Sequence, residues 1–255
     1  MSKLLSANLM RLKKDKVFWI AFGFMFAAGI IFPVMIYRDM VRTGIINTID
    51  NVFFHYAMFI GILMAVFCSF FVGTEYSDGT IRNKVVAGKK RIDIYCSNFI
   101  TCAVASLLIC AGFFTPYLCI GIPLLGFFTA DIKIVLLFAV TVVALSVAFS
   151  SIFNLIAMLS SNKAVTAVIC ILAAFLLLFT GIKLNGMMNE PETVLGMTIG
   201  DNGEQHEEMP NPDYLNDDER KIVQFFYDFI PGGQVAQCAS LEAVNLLLLP
   251  IYSTI

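Results

Sequence analysis

The segment GTEYSDGTIRNKVVAGKKRID, residues 73–93, is the one densely charged stretch lying between long apolar runs. Arg82, Lys84, Lys89, Lys90 and Arg91 supply its positive charge, set against Glu75, Asp78 and Asp93. Asp78 suits an N-cap, because its short carboxylate accepts from backbone N–H groups that a helix start leaves unpaired. Ile81, Val85 and Val86 recur at helical spacing, and Gly88 can close the turn in a left-handed conformation. The expected product is a short amphipathic helix, basic on one side and apolar on the other, held between two membrane spans. Such a helix is built to dock. The competing reading is a solvated basic loop that only sets topology.

The runs on either side place the chain in a bilayer. Of 255 residues, 58% are hydrophobic and 14% charged, mean hydropathy is +0.81, and the charges cluster instead of scattering. That combination describes an integral membrane protein. A net charge of −2 conceals the segregation, and no basic groove with interleaved aromatics points to nucleic acid. The cysteines at 68, 96, 102, 110, 119, 170 and 238 lie mostly inside apolar runs. They form neither a CxxC pair nor a cluster at metal-ligand spacing, so they read as small buried hydrophobes and no metal site is expected.

Upstream, residues 1–16 carry Lys3, Arg11, Lys13, Lys14 and Lys16, with Leu5, Leu9 and Leu12 on one helical face. A helix of this kind lies flat on an anionic membrane surface. The apolar run 17–37 has the length of one bilayer core, roughly 30 Å, and lacks a small-residue cleavage site, which argues for a first span and against a signal peptide. Further spans are expected at 52–72, 95–118, 134–159 and 164–182. His55, near the end of the second, reads as an interfacial residue before a ligand or proton relay. In the uncharged stretch 94–130, Pro116 and Pro123 suggest that the third span stops near Leu118 and that an apolar connection follows. Ser146, Ser150, Ser151 and Asn154 make a small polar patch in the fourth span. Close helix packing is one reading of it, and a translocation-path lining is the other.

Lys and Arg counts orient the chain. Eleven fall on the side of the N-terminus and the central loop and six on the opposite side, so the N-terminus is expected in the cytoplasm. Residues 185–231 then lie outside, with eleven acids and two bases. Their first part, polar and punctuated by Gly and Pro, reads as loop. From Asp217 onward, Ile222, Phe225, Phe226 and Phe229 give a helical stripe able to lie on or dip into the outer face. The acids, Glu204, Glu207 and Glu208 among them, either attract a cationic substrate such as a basic peptide or form a solvated surface. Residues 235–255 read as a sixth span that ends without a following Lys or Arg, so it is expected to be incomplete or short.

Catalytic signatures are missing from the sequence. Gly88-Lys89-Lys90 is not a phosphate-binding loop, because position 83 is Asn and no hydroxyl residue follows the lysines. Neither HExxH nor GxSxG occurs, and the spans hold no ladder of acids for an ion-driven pump. The chain is not expected to be an enzyme or to bind a cofactor itself.

The order Glu75, Gly79-Thr80, Arg82, then Gly88 and Lys90-Arg91 resembles the loop after the second span in permease subunits of type-2 ATP-binding-cassette (ABC) transporters, which have the type V exporter fold. The resemblance covers nearly the whole chain. It includes NPDYLNDDERKIVQFFYDFIPGGQ (residues 211–234), which is similar to the outside segment whose short helices re-enter the bilayer before the last span. It implies an all-α membrane protein of six transmembrane helices, an N-terminal interfacial helix, and a cytoplasmic coupling helix docked in a groove of a separate ATPase. It further implies that Glu75, Asp78, Gly79, Thr80, Arg82, Lys84 and Gly88 serve the coupling. ATP and Mg then belong to two copies of the ATPase, and a second permease chain, identical or paralogous, completes the pathway in the bacterial plasma membrane. Export of an antimicrobial or other amphipathic peptide is the first expectation. A stand-alone carrier or channel and a membrane-bound peptide sensor or immunity protein are the alternatives.

Overall fold

Side-chain caps open three of the five long helices, and glycines close two of them. In the computed structural model, which describes residues 1–200 and 203–254 and all their side chains except those of 51 and 196–207, α1 (Ser2–Leu12) leads into α2 (Lys16–Thr43). Asp15 caps α2 by accepting from Phe18 N–H at 2.9 Å. Gly44, at φ +70°, ends it. The helix therefore runs past the apolar stretch 17–37, since Arg38 and Asp39 lie on its solvated extension and do not break it. A short helical turn, α3 (Asp50–Phe53), and one 3₁₀ turn lead into α4 (Ala57–Ser77).

Next come α5 (Thr80–Val86), α6 (Arg91–Leu125), α7 (Ile132–Leu159) and α8 (Lys163–Asn189). Side chains of Asp131 and Asn162 cap α7 and α8. Among the described residues, five helices are long and apolar enough to cross a membrane: Lys16–Thr43, Phe54–Ser77, Arg91–Leu125, Ile132–Leu159 and Lys163–Asn189. The protein is a multi-pass, predominantly helical membrane protein.

The third span does not stop near Leu118, because α6 passes through both Pro116 and Pro123 and ends at Gly126, φ +83°. Tight packing on α2 supports the first proline: a Cβ on Gly29 would sit 2.6 Å from the Phe113 carbonyl and 2.7 Å from the Pro116 ring. Neighbouring helices stabilise a proline-interrupted helix in this way. The polar stretch after α8 is not all loop. β1 (Thr193–Gly200) and β2 (Gly203–Pro210) form an antiparallel hairpin that pairs Thr193 with Pro210 and Gly200 with Gly203. Asn211 closes its base, donating to Glu190 and to the Pro191 carbonyl.

Residues 235–255 also differ from a single sixth span. α9 (Asp217–Phe229), opened by an Asn216–Glu219 capping box, turns at Ile230 into α10 (Pro231–Ser240). Leu241, at φ +56°, ends α10, and the short α11 (Leu249–Thr254) follows. α9 and α10 form a helical hairpin whose tip packs backbone to backbone on α8. A Cβ on Gly232 would lie 1.7 Å from the Leu177 carbonyl, and one on Gly181 2.0 Å from the Gly232 carbonyl. α10 is thereby buried against α8, α7 and α4, and α11 lies along α7.

The hairpin is held by a buried carboxylate. Asp228, 2% exposed, accepts from Gln224 at 2.6 Å, Gln237 at 3.1 Å and Asn245 at 2.7 Å. Gln234 spans the turn, donating to the Asp228 carbonyl at 2.8 Å and accepting from Ser253 of α11 at 2.6 Å. Burial raises the neighbouring Tyr227 phenol well above its ordinary pKa, keeping it the donor to Asn185 at 2.6 Å.

Candidate functional site

At the basic end of the bundle, where α1 and α5 sit, the last turn of α4 carries Glu75 inward. Its side chain is 1% exposed. One carboxylate oxygen accepts from Arg11 of α1 and from Lys84 of α5, each at 2.5 Å. The other accepts from Asn98 of α6 at 3.0 Å. The Asn98 carbonyl oxygen in turn accepts from Asn8 of α1 at 2.6 Å, and Asn8 also donates to Ser97 at 3.1 Å. Arg11 is fixed twice more: it donates to the Phe71 carbonyl at 2.9 Å and stacks 3.7 Å over the Phe71 ring. Four helices therefore converge on one carboxylate.

This satisfies the requirement that a buried charge be paired and hydrogen-bonded. Two cations face one anion, so the cluster carries a net positive charge. Losing the anion leaves two mutually repelling cations close together.

α5 is a short helix joined to that hub through Lys84. Gly79, φ +66°, reverses the chain between α4 and α5 and is the N-terminal boundary residue of α5. Asp78 does not cap α5 as expected. It is exposed and ends α4 instead, because the left-handed turn falls one residue later. Gly88, φ +80°, closes α5, with Lys89 N–H reaching back to the Lys84 carbonyl at 3.1 Å. Thr80 is half-buried at the first turn, and Lys84 points inward to Glu75 with 14% of its side chain exposed. Arg82 is exposed, as is Val86 at 81%. The expected apolar side of α5 is thus largely uncovered. Tyr76 anchors the same end of α4 to α7 by donating to the Met158 carbonyl at 2.6 Å.

The remaining candidate residues lie elsewhere. Ser146 and Ser150 are fully buried on α7. Ser150 donates to the Ser146 carbonyl at 2.8 Å and lies 3.4 Å from the Cys102 carbonyl of α6. Ser106 of α6 reaches Ser146 at 3.5 Å. Asn154 is fully buried, with neither side-chain amide atom hydrogen-bonded. Glu208 is exposed on β2, opposite Leu195. The side chains of Glu204 and Glu207 lie outside the described residues.

Sequence reasoning missed Asn8, Arg11, Ser97 and Asn98 as partners of Glu75. A signal was present: Leu4, Asn8 and Leu12 share one helical face and are the buried residues of α1, so a polar group interrupts an apolar stripe.

Comparison with protein families matches the description "ABC-2 family transporter protein" over residues 4–183. The chain belongs to this family. The matched region contains α4, α5 and α6 whole and α1 from Leu4 onward, and so every residue of the Glu75 hub. The ABC-2 assignment makes the chain the membrane component of an ABC transporter and implies an ABC ATPase as partner. No curated protein and no solved structure gave a significant match.

Proposed function

We propose that this ABC-2 permease is the membrane subunit of an exporter in the bacterial plasma membrane, with its N-terminus and α5 in the cytoplasm. The reading rests on one observation above all: Lys84 of α5 and Arg11 of α1 share a single buried oxygen of Glu75. α5 is the coupling helix. Its outward Arg82, with Thr80 beside it and Asp78 at the end of α4, meets a groove of the ATPase, and Lys84 and Glu75 anchor it inside. Closure of two ATPase subunits on ATP and Mg pushes on α5. The push passes through Glu75 to α4 and through Asn98 to α6, and these rigid helices tilt between inward- and outward-facing arrangements. A second permease chain supplies the other half of the pathway. The acid-rich segment between α8 and α11 supports a cationic, amphipathic peptide as substrate, because a concentration of carboxylates raises the local concentration of cations.

Arg82→Glu tests the docking role. The variant reverses charge on an exposed position that makes none of the hub's bonds, so insertion and folding are expected to match wild type. Recovery of the ATPase on affinity purification in mild detergent is expected to fall at least tenfold. Undiminished recovery together with undiminished transport would remove α5 from the interface.

A further inference from the structure

A groove of about 960 Å³ opens between α1, α2 and α6, on the face of α1 next to the one that carries Asn8 and Arg11. Its walls are Leu5 and Leu9 of α1, Phe18 and Phe22 of α2, and Val104 and Leu108 of α6. Val104 and Leu108 stand about 20–25 Å along α6 from Arg91 at 1.5 Å per residue, so the groove reaches from the basic end to roughly the depth of one leaflet. Its mouth is different in kind. Ser2, Ser6 and Lys13 border it, and Trp19 stands at the edge, 54% exposed, donating its indole N–H to the Lys13 carbonyl at 2.9 Å.

Charge at that mouth is uncompensated. Among the described residues, Lys3, Lys13, Lys14 and Lys16 are exposed and pair with no carboxylate. Asp15, the one acid of residues 1–16, is occupied by capping α2. An apolar slot one leaflet deep beneath a rim of hydroxyls and the unpaired Lys13, with three more unpaired lysines on the same short stretch of chain, has the two-part chemistry of a phospholipid.

We propose that this groove binds one phospholipid with an anionic headgroup, its acyl chain along Leu9, Phe22 and Leu108, its phosphate at Lys13 and the rest of its polar headgroup running along the rim towards Ser6. The lipid and the Glu75 hub then hold α1 from neighbouring faces, so loss of the lipid loosens a helix that supplies Arg11 and Asn8 to the hub. The site stands on the groove and its charges, independently of what the protein transports.

Trp19 is the only tryptophan in the chain, so its fluorescence reports on this groove alone. The full chain is reconstituted into phosphatidylcholine vesicles containing a fixed minor fraction of either brominated phosphatidylglycerol or brominated phosphatidylcholine. The anionic lipid is expected to quench Trp19 several-fold more at equal fraction, with the preference falling as salt rises. Lys13→Gln with Lys14→Gln is expected to abolish the preference, and so is Val104→Phe with Leu108→Phe, which fills the groove and leaves the lysines in place. Equal quenching of the wild-type chain by both lipids means an ordinary annular contact and overturns the proposal. So does quenching by neither, which means that protein covers the groove. Both readings use the unaltered chain, so a misfolded variant cannot rescue the idea.

Discussion

Glu75 does more at residue scale than any other side chain in the basic half of the molecule. It is the common acceptor for Arg11, Lys84 and Asn98, so its substitutions should not behave like those of one partner in a pair. Glu75→Gln strips both cations of their counter-charge and is expected to cost about 3 kcal/mol, the lower end for breaking a buried ion pair because Arg11 is one-third exposed. Lys84→Met leaves Glu75 with Arg11 and Asn98 and is expected to cost clearly less. Thermal melting of both variants in detergent checks the order; an equal or larger drop for Lys84→Met would mean that Glu75 is not the hub. The glycines at the hairpin tip make a second residue-scale prediction. Gly232→Ala places a methyl 1.7 Å from a backbone oxygen that cannot move alone, whereas Gly186→Ala meets nothing within 4 Å. The first should lower the melting midpoint by several degrees and expose the 217–240 segment to protease, and the second should do neither. Equal behaviour of the two would mean that the α8–α10 contact is looser than its geometry.

Elements show where sequence reasoning succeeds and where it stops. The five long helices and α5 were legible because uncharged runs of bilayer length and a basic insert between them leave little choice of structure. Helix ends are less so: the apolar run stops at Tyr37, yet α2 continues to Thr43 because nothing before Gly44 breaks its backbone. The hub was illegible for another reason. Arg11 and Glu75 are 64 residues apart, and no local period links them. Nor does hydropathy separate α10 from the last apolar run: Val235, Ala236 and Cys238 are as buried as span residues, and the break is one left-handed residue, Leu241. The β1–β2 hairpin did leave a sign, with Val194, Thr198 and Ile199 preceding Asn202-Gly203. Being paired to itself and closed at its base by Asn211, the hairpin is separable from the bundle. Deleting residues 190–215 removes seven of the segment's eleven acids and is expected to leave the maximal transport rate of reconstituted complexes within about twofold of wild type while raising the peptide concentration at half-maximal transport. A peptide sensor that used these acids would lose its response in the same deletion, so abolished signalling with no transport in either form would favour that alternative.

On the scale of the whole molecule, two buried carboxylates organise opposite ends in different ways. Glu75 joins four helices through two cations and the Asn98 amide at the basic end, and Asp228 holds the α9–α10 hairpin through three amides at the other. A short helix set between two left-handed glycines at one end and a glycine-packed hairpin at the other are what the proposed coupling from the basic side would act on. The account stands or falls on what touches α5. A photo-crosslinking amino acid in place of Val86, exposed at the end of that helix, reads this directly when irradiated in native membranes and followed by mass spectrometry of the adduct. The account predicts one dominant adduct with an ABC ATPase subunit, lost on adding Arg82→Glu. Adducts with lipid alone, from membranes in which the ATPase is present, would contradict it.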